Sequence, residues 1–359
     1  MSIFSFLKAA PVSTAFSCDT NALRFVSLQK TREGIQVVAY GTEKLGGHII
    51  DDTDKIVDDA QFVKRLKSVA LRHNITTANV VIPDGQAIMF HTHVAKLAPE
   101  KSMGDVIMDH IKTHCQANNL LALAEYICEY DVILETGYGY DIHVTLVPRL
   151  YVAHLVRLFK QAGIVVPHIE TAHHAVARSC IHLSTGQGYV SVSVGADATS
   201  VALIHGNHLV SREVVAVGVE TVLSVIKKRL AIEQREALNI INRHGVLRTH
   251  PDNRLLSDIM MTLSPIAQSV DRLLVQHGQI PYKIFGQRFH TEALIVYGQG
   301  ADIKGLVGLL GEQTGLSARA LDVWAGHEAD RAPILTLPAT ETPMYAEALS
   351  LALLYLREK

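Results

Sequence analysis

The residues of this chain whose types and spacing could do chemistry fall in four short stretches. Gly298-Gln299-Gly300 follows the apolar run Ala293–Tyr297 and precedes an amphipathic stretch carrying Leu306, Val307, Leu309 and Leu310. That order predicts strand, glycine turn, helix. Glycine has no Cβ, so such a turn lets backbone approach a flat or anionic ligand. Gly218 and Glu220 open a second helical stripe, Val219, Val222, Leu223, Ile226 and Leu230. Ser17 lies near the end of one alternating stretch, before Asp19, Thr20 and Asn21. Ser193 lies near the end of another, before Gly195, Ala196, Asp197 and Thr199. Hydroxyls and backbone amides can donate to phosphate oxygens, but a hydroxyl carries no charge with which to hold a divalent cation. Each feature also has a plainer reading. The glycines serve turn geometry, Asn21 and Asp197 are turn formers, and Glu220 is a favourable acid in the first turn of a helix.

Other constellations are poorer. His91 and His93 alternate on an expected strand, and His110 and His114 stand at i and i+4 on an expected helix, a spacing used by zinc sites. Neither pair has a third ligand in register, so no metal site is expected. No Gly-x-Ser-x-Gly elbow is present. Lys227-Lys228-Arg229 reads as the polar side of a helix.

The elements that must position these residues are legible by periodicity. Phe16–Leu28 and Val192–Ile204 align without a gap at a constant separation of 176 residues, Ser17 on Ser193. Each alternates, breaks at a polar turn and alternates again, which is a hairpin pattern. Further strands are expected at Ile35–Tyr40 and Glu213–Val217, an internal duplication. Strands are also expected at Ala78–Pro83 and Ile164–Val166. Asp131–Glu135 and Tyr140–Pro148 should form a hairpin. Met103–His114 reads as a helix, as does the stretch carrying Val152, Leu155, Val156 and Phe159, closed by Gly163. Later helices are expected at Glu233–Arg243 before Gly245 and at Arg254–Gln276, with a kink or restart at Ser264-Pro265 and Ser264 as N-cap. The last helix should start at Thr342-Pro343 and run to Leu356. Alternating strands and helices imply an α/β architecture.

The chain has 359 residues, enough for two domains. Net charge is −2, which gives no electrostatic case for nucleic acid or for an anionic membrane surface. The four cysteines, Cys18, Cys115, Cys128 and Cys180, lack CxxC spacing and suit a reducing compartment. No segment is long and apolar enough to span a bilayer. Ile3–Lys8 is apolar but short: a docking lead-in or disorder.

These residues resemble the actin-like ATPase superfamily and, within it, the type IV pilus assembly (PilM) family, relatives of the cell-division protein FtsA. Tyr189–Ile204 with Glu213–Glu220 is similar to the second phosphate hairpin and the Gly-x-Glu helix start. Gly298-Gln299-Gly300 with Gly305 is similar to the adenosine motif. Ile169–Ala172 and Ala175–Arg178 are similar to the crossing segment, and Ala346–Leu353 to the closing helix. The resemblance implies an actin-like (ribonuclease H-like) two-lobe α/β fold with an inserted α+β subdomain. The first lobe would take residues 1–168 and 341–359, with the insertion at about 85–166, and the second lobe residues 169–340. It implies a nucleotide-shaped cleft for ATP or ADP built from Ser17, Asp19, Thr20, Asn21, Ser193, Gly195, Ala196, Asp197, Thr199, Gly218, Glu220, Gly298, Gln299 and Gly300.

Hydrolysis in that superfamily needs strand-end carboxylates to hold Mg²⁺. Here Ser17 and Ser193 occupy those places, unless a shifted alignment puts Asp19 in the acid position. Feeble or lost hydrolysis is therefore expected, with no catalytic residue assigned. The resemblance further implies a cytoplasmic scaffold that binds the N-terminal tail of a PilN-like inner-membrane protein. A PilO-like protein and pilus motor components would be further partners. The alternatives are an active ATPase or phosphotransferase, or an FtsA-like membrane-tethered filament protein, which the absence of a C-terminal amphipathic helix counts against.

Overall fold

In a computed structural model, the structure describes residues 11–46, 49–51, 53–95, 102–117, 123–135, 137–179, 188–205, 208–278, 291–325 and 337–357. The stretch Ile3–Lys8 and Cys180 lie outside the described residues. The chain divides into two compact units. One comprises residues 1–83, 158–182 and 321–359, the other residues 84–157 and 183–320.

The first unit is built on a five-stranded sheet, order β3-β2-β1-β4-β8. Its strands are β1 (Val12–Cys18), β2 (Ala22–Thr31), β3 (Gly34–Lys44), β4 (Asn79–Ile82) and β8 (Ile169–Thr171). β1 pairs antiparallel with β2 and parallel with β4. β1 and β4 are buried on both faces, as expected of central strands covered by helices. Phe16 packs on Phe25 and on Phe159 with ring centroids 5.7 Å apart in each case, and Phe62 of helix α1 (Asp59–His73) joins them. Phe159 comes from α3 (Arg149–Gln161), which ends at Gly163 with φ +84°. The short helix α4 (Ala172–Ser179) and the closing helix α9 (Ala346–Arg357) pack on each other, and α9 also packs on β1 and β2. α9 is apolar on nearly every side, which suits a helix that is buried along most of its surface, with Glu347, Leu354 and Tyr355 partly exposed.

The second unit repeats the plan. Its five-stranded sheet has the order β11-β10-β9-β12-β13, from β9 (Gly188–Val194), β10 (Thr199–His205), β11 (His208–Val215), β12 (Thr291–Tyr297) and β13 (Ser317–Ala320). The two hairpins share one register. Phe16 faces Phe25 and Val192 faces Val201; Cys18 faces Leu23 and Val194 faces Thr199. Every pair keeps the separation of 176 residues, so the duplication seen in sequence is present in strand pairing. The helices are α5 (Val219–Leu230), α6 (Gln234–His244), α7 (Asn253–Gly278) and α8 (Leu306–Thr314). Their apolar faces close one core on β9, β10 and β12, among them Val222, Ile226, Ile259, Leu263, Ile266, Leu306 and Leu310.

Residues 84–157 group with this second unit. They form a three-stranded sheet, order β5-β7-β6, from β5 (Ile88–Ala95), β6 (Tyr126–Glu135) and β7 (Gly139–Pro148), covered by α2 (Met103–Ala117). Val106, Ile107, Ile111 and Cys115 of α2 pack on Ile142, Val144 and Leu146. The strand β5 lies against β11, and Arg212 donates to the carbonyl of Ala87 at 3.4 Å. By packing, then, this subdomain goes with the second sheet, where the sequence expectation assigned it to the first lobe.

Three local expectations are corrected. Ile164–Val166 does not form a strand: Val165 makes one bridge to Thr77, Pro167 has no amide to donate, and pairing with β4 resumes at Ile169. The long helix α7 continues through Pro265 without a restart, and the Ser264 hydroxyl donates back to the Met261 carbonyl instead of capping. Its buried residues on both sides of Pro265 face one core, which holds the helix together across the missing hydrogen bond. At the C-terminal end, Thr342–Tyr345 is a 3₁₀ turn and α9 begins only at Ala346. The Thr342 hydroxyl donates to Pro338 O instead of accepting an amide.

Candidate functional site

In the second unit, the residues singled out by sequence gather at the C-terminal ends of β9 and β12. Tyr297 is paired with Ser193, so the Gly298–Gly300 turn leaves the sheet beside the Gly195–Ala198 turn. Gly298 adopts φ +88°, a region that disfavours a Cβ, and a Cβ there would also sit 2.7 Å from the Val194 carbonyl oxygen. At Gly300 a Cβ would sit 2.2 Å from Val194 Cγ1. Gly218 is pressed on the other side of the same strand end, where a Cβ would fall 2.3 Å from the Ala196 carbonyl oxygen. All three glycines allow backbone or side chain of residues 194–197 to approach closely.

The amides of the α5 start are already engaged. Val219 N donates to Gly195 O at 3.1 Å and Glu220 N to Ala196 O at 2.9 Å, while Gly218 N donates to the Thr221 hydroxyl. Glu220 accepts from Gln234 Nε2 at 2.7 Å. The Thr199 hydroxyl is fully buried and donates to Val217 O at 2.6 Å, so it ties β10 to the segment leading into α5. Ala196 is buried and Asp197 exposed at the turn; Ser193, Gly195 and Gln299 are partly exposed.

The matching turn of the first unit is built the same way. Asp19 N donates to Ala22 O at 3.0 Å, as Gly195 N donates to Ala198 O at 2.9 Å. In turn geometry Asp19 thus corresponds to Gly195 and Ser17 to Ser193, at the same separation of 176 residues. Ser17 is buried, and Thr20 and Asn21 are partly exposed in the turn. Asp19 Oδ1 accepts from the amides of Asn21 and Ala22, at 2.9 and 2.8 Å, which is side-chain support of a turn. Asp19 Oδ2 is held by Arg24 Nη1 at 2.6 Å. Arg24 was not among the expected site residues. Its only sequence signal is an arginine inside the otherwise apolar run Leu23–Val26. Burial pushes the neighbouring Cys18 thiol well up, helped by the charges of Asp54, Asp19 and Glu347, so it is no ready nucleophile.

Mg²⁺ wants carboxylate oxygens with lone pairs to give, and each strand end, taken by itself, supplies them poorly. Ser17 and Ser193 offer hydroxyls, and both Asp19 oxygens are engaged. Among the described residues, no three His, Cys, Asp or Glu side chains converge to hold a metal ion. The histidines of the three-stranded subdomain have other partners. His110 Nε2 bonds the Thr92 hydroxyl at 2.9 Å, the His114 ring stacks on Phe90, and His93 Nδ1 pairs with the buried Asp141 at 2.8 Å. The basic run at the end of α5 lies on its polar side, where Arg229 pairs with Asp258.

Two duplicated β-sheets with this strand order, joined to a separate subdomain, define the fold as actin-like. No protein-family model matches the chain and no curated protein matches its sequence. Solved structures do match. The chain is similar to the protein in the structure described as "PilM-PilN type IV pilus biogenesis complex", with a TM-score of 0.76 at 16% identity over 95% of this chain and 97% of that one. It is also similar to the ethanolamine utilization protein EutJ from Carboxydothermus hydrogenoformans, TM-score 0.57 at 13% identity over 96% and 90%. A third similar structure is MreB5 of Spiroplasma citri bound to AMPPNP, TM-score 0.57 at 13% identity over 96% of each chain. At these identities the likeness establishes the fold.

Proposed function

We propose that this protein is a PilM-like scaffold of a type IV pilus or a related secretion or pilus machine. In this reading it is cytoplasmic and held at the inner membrane by the N-terminal tail of a PilN-like protein. Such a tail would bind as an extended peptide, through backbone pairing and apolar pockets. PilO-like and motor components would be reached through that assembly. The observation that carries the reading is the extent of the likeness to the PilM chain. A 95% cover necessarily takes in most of residues 84–157, the subdomain outside the duplicated sheets, and the TM-score of 0.76 stands well above 0.57 for EutJ and MreB5. Among the described residues no helix is long and apolar enough to cross a membrane, which fits attachment through a partner.

Nucleotide in the MreB5 structure supports ATP or ADP as ligand, whereas Gly218, Gly298 and Gly300 are accounted for by packing on residues 194–197. Ser17 and Ser193 support feeble or absent hydrolysis. The test is fluorescence anisotropy with labelled N-terminal peptides of PilN-like proteins, the partner class in the similar solved complex. Saturable binding that a scrambled peptide does not compete is expected; a folded protein that ignores every such peptide refutes the scaffold reading. A phosphate-release assay with Mg²⁺ and ATP tests the second part, and turnover at the level of a working actin-type ATPase would overturn it.

A further inference from the structure

The first hairpin carries a charge that its repeat lacks. Arg24 on β2 lies directly opposite Ser17 on β1, and the corresponding pair in the second unit is Ser200 opposite Ser193. The Arg24 side chain is only 7% exposed and its guanidinium reaches along the strand to Asp19 Oδ2 at 2.6 Å. The other Asp19 oxygen is held by the amides of Asn21 and Ala22. Burying a guanidinium is unfavourable unless acids surround it. Here burial opposes the charge, but Asp19, its hydrogen bond and Glu347 in the first turn of α9 more than offset that and hold the proton on Arg24. Asp19 is thus already paired with a cation of the chain itself, although Glu347 and Asp54 add further negative charge around the strand end.

We propose that Arg24 is the resident cation of the first hairpin, a guanidinium bonded to Asp19 opposite Ser17 that takes the place of a divalent metal and excludes one. A divalent ion approaching Asp19 would have to displace a close charge-assisted hydrogen bond and two backbone donors, and would meet a fixed positive charge. The inference goes beyond the scaffold reading and does not need nucleotide to bind.

It is tested on the full chain without nucleotide, by titrating Mn²⁺ and following the free-ion electron paramagnetic resonance signal. The wild type is expected to show no saturable site. Arg24→Gln removes the cation bonded to Asp19 Oδ2 and should create one, read as a saturable loss of the free-ion signal that the wild type lacks. Arg24→Gln combined with Asp19→Asn should lose it again. Arg24→Lys keeps a charge and should stay silent, while Arg24→Met, uncharged and of similar length, should bind as Arg24→Gln does and is the variant to read should Arg24→Gln fail to fold. A saturable Mn²⁺ site in the wild type or in Arg24→Lys that Asp19→Asn abolishes overturns the proposal. So does a folded Arg24→Gln or Arg24→Met protein that binds Mn²⁺ no better than the wild type.

Discussion

Replacing Gly298 by alanine tests whether the glycine turn is required by packing alone, before any ligand is considered. Two terms add at this position. The backbone sits at φ +88° and ψ −175°, a region essentially open only to glycine, and holding another residue there costs about 1–3 kcal/mol. The new Cβ would also lie 2.7 Å from the Val194 carbonyl oxygen, which is backbone and cannot rotate aside. Overpacking of this kind costs about 1–3 kcal/mol, so Gly298→Ala should lose about 2–6 kcal/mol in total. At Gly300 the φ term is absent and the clash is with Val194 Cγ1, so the loss should be about 1–3 kcal/mol. There the clashing methyl can be removed. Val194→Ala combined with Gly300→Ala should therefore be less harmful than the sum of the single changes.

Gly308 is the control, because it lies inside α8 with nothing within 4 Å of an added Cβ. Alanine there should stabilise by about 0.5–1 kcal/mol. For a unit of about 200 residues each kcal/mol moves the melting midpoint by roughly 2–4 °C. The assay is a thermal melt of the nucleotide-free chain, followed by circular dichroism. If Gly298→Ala and Gly300→Ala melt with the wild type, the turn does not press on β9 and the packing argument fails.

Three further outcomes are expected. Thr199→Val keeps the shape of the side chain but leaves the Val217 carbonyl without its buried donor; it should lower the urea midpoint by an amount equivalent to about 1–3 kcal/mol. Burial alone would raise the Glu213 carboxyl, but hydrogen bonds from Arg272 and Ser269, with the Arg272 charge, outweigh it and hold it below its usual 4.5. The unfolded chain therefore takes up this proton first as pH falls, so the stabilisation is full above 4.5 and is lost on falling through the lower folded value. Glu213→Gln should flatten the urea midpoint below pH 4.5 relative to wild type, and an unchanged acid limb would contradict the assignment. Pro265→Ala restores a backbone donor inside α7 and should raise the melting midpoint, since an interior proline costs a helix about 3 kcal/mol.

The sequence by itself determined what repeats over short distances. The separation of 176 residues between the hairpins was readable because strand pairing keeps side chains in strict alternation, and the structure returns it pair by pair from Phe16 and Val192 to Leu23 and Thr199. The ends of α3 and α6 were readable because Gly163 and Gly245 take conformations that other residues avoid. Tertiary structure decided what depends on distant partners. The continuation of α7 past Pro265 rests on a core that local rules do not see, and the Pro338 carbonyl draws the Thr342 hydroxyl away from a cap. The association of residues 84–157 with the second sheet follows from β5 meeting β11, some 120 residues on. The engagement of Asp19 by Arg24 came from neither composition nor spacing: it needs a hairpin to bring the two together and burial to make the pair close.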